Sequence, residues 1–567
     1  MTTKSYWQQF ERQRLSRRKM LAVTGTGAAG LAVVAACGKK KSGTNGKTTP
    51  GQTPSGTPKA GGRYLEATDV NIDTLDPHIS VAGGPSWFIR IYNVLVNQSK
   101  TKPEYILNDL AESYEAPDPG GTEWLFHIRS GVGIAPNEFG IDRAMDAEDA
   151  FVTYERIKGL PQANACAFVC NQFASHEAVD AQTYKVSTPK PYAWFLLNLG
   201  NYFNTIPPRE LIQDNPDRMR TAAYGGGFFF VRNGGYVEGQ SLTLETNPNY
   251  YGRDPDNNDA PLPYVEGHDV KIIPERAARQ TAFLSRQSYQ YGAENNEEAE
   301  GLISQNSDLY QPSTSPSYTF ISVTMNVTRP PFDDPKIRKA VMHAMNREQY
   351  VELVYKGDAQ PNGLVHWPTG SYALPPEELA QLQKFDPELS KQLIADAGHD
   401  LPLKVKCMFA ANSTIEEHST HLPIFLEQMR AAGFEVEQDG QDFVTWLDNY
   451  TNKNYDFSLA LNQVYETPEI PLDFQHTHGP AGSDIYSNGL QDPEVDAAIE
   501  ATKSVTDPDE LASAVQDVQR LIYDKGPVFL PLVTPFSRTL YWNFVKNVPV
   551  GLGNTGLQAA RQVWLDL

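Results

Sequence analysis

Two histidine pairs offer the clearest spacing for metal chemistry. In His476-Thr477-His478 the two imidazoles would lie on one side of an extended segment, where they could share a divalent ion. His418 and His421 form a second close pair. Eleven histidines in 567 residues bring such spacings about by chance, so neither pair defines a metal site. Nucleophile motifs are missing: there is no G-x-S-x-G, no H-E-x-x-H and no Ser-x-x-Lys with its companion motifs. Carboxylates are too numerous for a glycosidase pair to stand out. Gly25-Thr-Gly-Ala-Ala-Gly30 fits G-x-G-x-x-G but has no strand before it and no βαβ unit around it, so it does not bind a dinucleotide. Gly46-Lys47-Thr48 ends like a phosphate loop, yet the required earlier glycine is Lys41. Of four cysteines, Cys166 and Cys170 stand four apart, a poor disulfide geometry on a helix, and read as buried thiols. The chemistry-bearing residues therefore point to a protein that is not an enzyme and needs no cofactor.

The charge pattern separates an address from a folded body. The whole chain carries −21, from 48 Lys+Arg against 69 Asp+Glu. Residues 1–63 hold twelve of the bases and one of the acids, which leaves 36 against 68, or −32, from Tyr64 onward. Such a body does not suit nucleic acid or an anionic membrane face. Arg17-Arg18 precede 17 uncharged residues, Met20 to Ala36, that are diluted by glycine and threonine. That run is too short and too weakly apolar to span a bilayer and reads as a signal peptide, residues 1–36, of twin-arginine type. Val34-Ala35-Ala36-Cys37 resembles a lipoprotein box, with Cys37 as the lipidated residue. Residues 37–62 are a Gly/Ser/Thr/Pro/Lys tether.

The mature chain changes character along its length. Trp124-Leu-Phe-His-Ile-Arg129 and Ser241-Leu-Thr-Leu-Glu-Thr246 alternate as strands do. Asp146 is placed to cap a helix, with Asp149 in its first turn. From about 320 strands and helices alternate: Asp334-Pro335, Asp386-Pro387, Asp492-Pro493 and Asp507-Pro508 each open a helix. Asn346 with Gln349 opens another, and Gly398, Gly433 and Gly526 end three. This is the pattern of an α/β lobe.

Several ordered blocks carry a resemblance. Leu75-Asp-Pro-His78, Leu110-Ala-Glu-Ser-Tyr114, Trp124-Leu-Phe-His-Ile-Arg-Ser-Gly-Val132, Ala147-Glu-Asp-Ala150 and Asn247-Pro-Asn-Tyr-Tyr-Gly252 are followed by Asn326 and Pro331-Phe-Asp-Asp-Pro-Lys-Ile-Arg-Lys-Ala-Val-Met-His-Ala-Met-Asn-Arg347, then by Asp386-Pro-Glu-Leu-Ser-Lys-Gln-Leu-Ile-Ala-Asp-Ala-Gly398. From about Gly62 to Val550 the chain resembles the family 5 extracellular solute-binding proteins of ABC importers. The resemblance implies an α/β fold of two lobes, the periplasmic-binding-protein type II-like (cluster C) arrangement, with an extra subdomain in the first lobe. The first lobe would comprise 63–318 and 535–567, with the subdomain at about 79–204; the second would comprise 319–534. Strand crossings fall near Tyr318–Val323 and Pro531–Phe536.

The resemblance also implies ligand contacts. Gly84, Ser86 and Trp87 follow the early turn; Tyr318, Ser322 and Thr324 flank the first crossing. Phe443 and Trp367 fall on segments that reach the cleft, while Trp446 packs in the core. Peptide binders of the family hold the ligand's amino group with an acid after the strand that here reads Tyr455-Asp-Phe-Ser-Leu-Ala-Leu461. A Trp usual there is Asn462, and the acid position falls on Tyr465 or Glu466. Asn326 and Asp456 are architectural. The implied function is solute capture, most naturally of a peptide, for delivery to an ABC permease. The binder would be a monomer outside the cytoplasm, in the periplasm or at the cell surface, held to the membrane only by its lipid. An oligosaccharide or other polar solute and a nickel chelate are the alternative ligands, and a secreted hydrolase is the alternative class.

Overall fold

The computed structural model describes residues 56–80, 85–98, 106–118, 120–160, 169–170, 172–312, 314–317, 319–411, 416–463, 467–479, 489–548 and 560–567. The expected signal peptide, Cys37, most of the tether, and Cys166 lie outside them. No helix among the described residues is long and apolar enough to cross a membrane.

The first lobe is built on a four-stranded sheet in the order Arg63–Thr68, Gly267–Ile272, Ser241–Thr246, Phe229–Val237, parallel at its first pair and antiparallel beyond. Leu242 and Leu244 of the alternating strand point inward and are fully buried. They join Trp87, Phe88 and Ile91 of the short helix Pro85–Ile91 in one apolar cluster.

An antiparallel subdomain is inserted here, with strands in the order Ala111–Glu115, Glu123–Ile128, Thr183–Ser187, Ser175–Asp180. Trp124, Phe126 and Ile128 are its buried face, as the alternation requires. The helix Ala147–Gly159 lies over it and starts in a capping box. Asp146 accepts from the Glu148 amide, and Asp149 accepts from the Asp146 amide. Asp149 is buried and held by Arg143 at 2.6 Å, so the cap also ties that arginine to Glu210. Covalently the subdomain belongs to the first half of the chain. Its apolar core, however, is continuous with that of the second lobe.

The second lobe carries a mixed sheet whose path runs Phe529–Trp542, Thr319–Met325, Phe457–Gln463, Leu403–Ala410, Phe434–Gln441. Strand Phe529–Trp542 is 14 residues long and serves both lobes. Its first half pairs with Thr319–Met325 and Ala359–Pro361, and its second half with Ser315–Pro316, Gln290–Ala293 and Leu309–Tyr310. Residues 529–534 and 540–542 are buried, whereas 535–539 are partly or fully exposed. The strand therefore passes from one core to the other through a wetter joint.

The helix signals in the second half act as their chemistry dictates. Asp334 caps Pro335–Ala344 through the Lys336 amide, and Asn346 caps Arg347–Leu353 through the Gln349 amide. Asp386, Asp492 and Asp507 cap Pro387–Asp396, Pro493–Thr502 and Pro508–Lys525. In each Asp-Pro start the proline occupies a position whose amide would have no helical partner. Gly526 ends the last helix at φ +77°, and a Cβ there would meet the Pro335 carbonyl at 2.8 Å. Arg338 uses that close approach: buried, it donates to the carbonyls of Gly526, Lys525, Phe332 and Asp333 at 2.6–3.1 Å. Asn326 donates to the carbonyls of Lys453 and Tyr455 and accepts from Thr328, and Asp456 meets Arg329 at 3.3 Å. Both side chains bind neighbouring segments of the second lobe.

Candidate functional site

Two described contacts join the lobes. One is the joint of the shared strand. There the Ser317 amide donates to the Pro535 carbonyl at 2.7 Å, and the Phe536 amide donates to the Asp358 carbonyl at 2.8 Å. Asp358 is buried and accepts from Arg538 Nε at 2.5 Å, with a second contact from Nη2. Its carboxylate thus fastens the wet part of the strand to the second lobe.

The other joins the subdomain segment 188–204 to helices of the second lobe. Tyr192 OH donates to Glu469 Oε2 at 2.6 Å, and Asn198 Nδ2 donates to the same oxygen at 2.7 Å. Glu469 and Asp473 stand on the short helix Glu469–Asp473 and are 3% and 2% exposed. Lys503, just past Pro493–Thr502, sets its ammonium 3.1 Å from Asp473, 2.8 Å from Glu500 and 3.9 Å from Glu469. The Lys503 carbonyl accepts from the Ala193 amide at 2.7 Å. Beside this, Trp194 and Tyr372 meet edge to face at 5.3 Å between ring centres. Burial pushes the Asp473 carboxyl up, to about 7, and raises Glu469 as well; Lys503 opposes both. Burial also works against the Lys503 ammonium, but Asp473 and Glu469 outweigh it and its pKa is raised.

An aromatic row lines part of the second lobe. On the helix Phe443–Thr451, capped by Asp442, Trp446 stacks on Tyr450 at 5.2 Å, and Tyr450 stacks on Tyr455 at 5.5 Å. Trp446 is buried, with Nε1 donating to Ser458 Oγ at 3.3 Å. Phe443 stacks on Trp446 at 6.0 Å and is 38% exposed, so it presents a ring at the open end of the row.

The other residues expected at the ligand divide into three groups. Gly84, Tyr318, Tyr465 and Glu466 lie outside the described residues. Ser86, Trp367 and Asn462 are placed by backbone alone. Asn462 sits across from Phe320 in the sheet register, and Trp367 opens a turn of helix after His366. That turn is anchored by His366, whose Nε2 is 2.9 Å from Thr534 Oγ1 and whose burial lowers its pKa to about 3. Trp87, Ser322 and Thr324 are buried. Trp87 packs edge to face on His268 at 5.1 Å, under the Arg90 guanidinium at 4.7 Å. Ser322 Oγ donates to the Ala460 carbonyl at 3.4 Å, and Thr324 Oγ1 lies 3.2 Å from Tyr450 OH. Their even positions on the strand turn them under the aromatic row, where the sheet and its covering helix exclude solvent.

Among the described residues no group of three or more His, Cys, Asp or Glu side chains is arranged to hold a metal. His476 instead lies 3.9 Å from Asp496 and from Glu500, with His478 at 5.8 Å between ring centres. His421 is buried against Tyr350 and Tyr355. Cys170 and Cys407 are buried thiols outside any disulfide. Sequence reasoning missed the Tyr192–Asn198–Glu469–Lys503 cluster. Its members come from segments up to 311 positions apart (503 against 192), so no local spacing could reveal it.

The chain has relatives. A model of the bacterial extracellular solute-binding proteins, family 5 (middle), matches residues 106–479. The glutathione-binding protein GsiB of Salmonella paratyphi A is 23% identical over 505 residues, covering 82% of this chain and 88% of the relative. In fold, the chain is similar to the periplasmic binding protein DppA of Helicobacter pylori in complex with the peptide STSA. The TM-score is 0.74 at 20% identity, over 90% of this chain and 99% of the other. It is also similar to NikA of Brucella suis in complex with Fe(III)-EDTA, with a TM-score of 0.71 at 18% identity, over 90% and 100% of the two chains.

Proposed function

This chain belongs to the bacterial extracellular solute-binding proteins of family 5, the substrate-binding components of ABC importers, and from that premise we propose that it captures a short peptide between its lobes and delivers it to a membrane permease. What supports this reading is that the first and second parts of the chain meet at two places, the shared strand and the Tyr192–Glu469 and Trp194–Tyr372 contacts, as two lobes around a ligand would. A peptide suits the space between two such lobes, because its main chain can pair with strand edges while pockets take its side chains. Glutathione and the peptide STSA, the ligands named for two of the relatives, support this choice. In this reading Glu466 pairs with the ligand's amino group. Gly84, Ser86, Tyr318, Trp367, Asn462 and Tyr465 line the same space. Phe443 offers its exposed ring, and Trp87, Ser322 and Thr324 stand with them at the ligand. The lobes, 63–318 with 535–567 and 319–534, swing about the wetter stretch 535–539 and its partner near Ser317, and closure shapes the surface a permease reads. Arg17-Arg18 direct export, Cys37 carries lipid, and the tether holds a monomeric body near the membrane.

Mass spectrometry of ligand co-purified with the full chain tests the cargo, together with thermal shifts against a broad peptide library. A binding peptide raises the melting temperature by mass action on the native state. Stabilisation by an oligosaccharide or a metal chelate, with none by any peptide, would overturn the choice of cargo. Mass spectrometry of the mature N-terminus, with a Cys37→Ala control appearing in the soluble fraction, tests the anchor.

A further inference from the structure

The contact between the subdomain and the second lobe holds more than apolar surface. Five ionisable groups of the second lobe converge on it: Glu469 and Asp473 from one short helix, Glu500 and Lys503 from the next, and His476 between them. Asp496, also on that next helix, faces His476 at 3.9 Å. From the subdomain come Tyr192 OH and the Asn198 amide, both on Glu469, and the Lys190 ammonium, 3.1 Å from Glu500. The Ala193 amide completes the contact by donating to the Lys503 carbonyl. Nearest the centre, two buried carboxyls share one lysine, which cannot neutralise both.

We infer that this cluster is a proton-sensitive fastener between the subdomain and the second lobe, which holds the lobes together more tightly as the medium acidifies. The inference rests on the two-lobe binding reading above and adds a means by which pH sets the balance of closed and open forms. When the contact is made, Tyr192 and Asn198 donate to Glu469 and favour its carboxylate, so the buried Asp473 carboxyl takes the proton. When the contact parts, water enters and the Asp473 carboxyl returns towards its ordinary range, while Glu469 exchanges the Tyr192 and Asn198 donors, which favour its carboxylate, for water. The raised Asp473 carboxyl fixes the sign. The closed form binds a proton that the open form does not, so closure gains as pH falls and the gain is lost as pH rises through about 7. The window runs from there down to about pH 4, the range of an exposed carboxyl. Closing therefore also takes up a proton, and the coupling is reciprocal.

Ala193 reports the fastener directly, because its amide bonds across the contact. Hydrogen exchange by NMR or mass spectrometry on the ligand-free full chain gives its protection factor, corrected for intrinsic rates, at pH 5.5 and pH 8. An Asp473 carboxyl that titrates near 7 when closed and near 4 when open predicts about 30-fold more protection at pH 5.5. Phe126 and Val186, inside the subdomain sheet, serve as controls that global stability moves and the fastener does not. Asp473→Asn, a neutral carboxyl mimic, is expected to bring the Ala193 ratio close to the controls' ratio. Equal protection of wild-type Ala193 at both pH values overturns the inference whether or not the variant folds; so does an undiminished ratio in a folded Asp473→Asn. Because no ligand enters the experiment, its failure is separate from a failure to find peptide cargo.

Discussion

Replacing Lys503 by Met keeps most of the buried stem and removes only the ammonium. In the wild type that ammonium is 3.1 Å from Asp473, 2.8 Å from Glu500 and 3.9 Å from Glu469, with 10% of the side chain exposed. Glu500 is 41% exposed and can turn to water, so its loss matters little. Asp473 and Glu469 have no such escape, and the substitution leaves two buried carboxyls with no cation between them. Removing one partner of a buried ion pair costs about 3–5 kcal/mol, and that range is expected at pH 8. At pH 5 the outcome changes. Without the lysine both carboxyls are raised further, so the native variant takes up protons that the unfolded chain, with ordinary carboxyls, does not yet bind. Its stability rises relative to wild type as pH falls, and the deficit is expected to shrink to about 1 kcal/mol, the scale of one lost hydrogen bond. Urea unfolding followed by tryptophan fluorescence at the two pH values measures both numbers. A deficit of equal size at pH 5 and pH 8 would refute the assignment of the cost to unpaired carboxylates, and no deficit at pH 8 would refute their burial.

Phe443→Ala is expected to lower ligand affinity about tenfold while costing about 1 kcal/mol of stability, because the ring is part exposed and, among the described residues, stacks on Trp446 alone; calorimetry with the co-purified ligand checks it, and an unchanged Kd removes Phe443 from the site. Arg338→Met leaves four carbonyls without their donor and is expected to destabilise the second lobe by about 3 kcal/mol; denaturant unfolding reads the loss. Burial holds His366 neutral, with its pKa lowered to about 3, so its imidazole resonances are expected not to titrate between pH 5 and 8. Because the unfolded histidine binds a proton first, the site's contribution is intact above about pH 6.5 and diminishes by about 2 kcal/mol by pH 5; a ring titrating with a midpoint between 5 and 7 contradicts this.

Local chemistry made much of the fold readable. An Asp before a proline can cap a helix without help from distant residues, because the side chain reaches only its own next amides. Asp334, Asp386, Asp492 and Asp507 therefore did what their neighbours required. Alternation at Trp124–Ile128 and Ser241–Thr246 fixed which face of each strand is buried, since the side-chain period of a strand is two. The ordered blocks carried the family, and with it the two-lobed α/β architecture. A serine or threonine beside a crossing strand says less. Ser322 and Thr324 have types that suit a ligand, and only the folded neighbours, the Ala460 carbonyl of the next strand and Tyr450 of the helix Phe443–Thr451, show what their hydroxyls meet.

The amino-acid sequence by itself determined the helix ends, the strand faces, the charge division between residues 1–63 and the rest, and the family. Each of these is set by residues within a few positions of one another or by a fixed order of blocks. Tertiary structure alone decided that one 14-residue strand serves both lobes. It also decided that the subdomain's core runs into the second lobe, and that Tyr192 and Asn198 meet Glu469 beside Lys503. Those groups are brought together by chain folding across hundreds of positions. Their pKa values depend on the water that folding removes, a quantity no stretch of sequence contains.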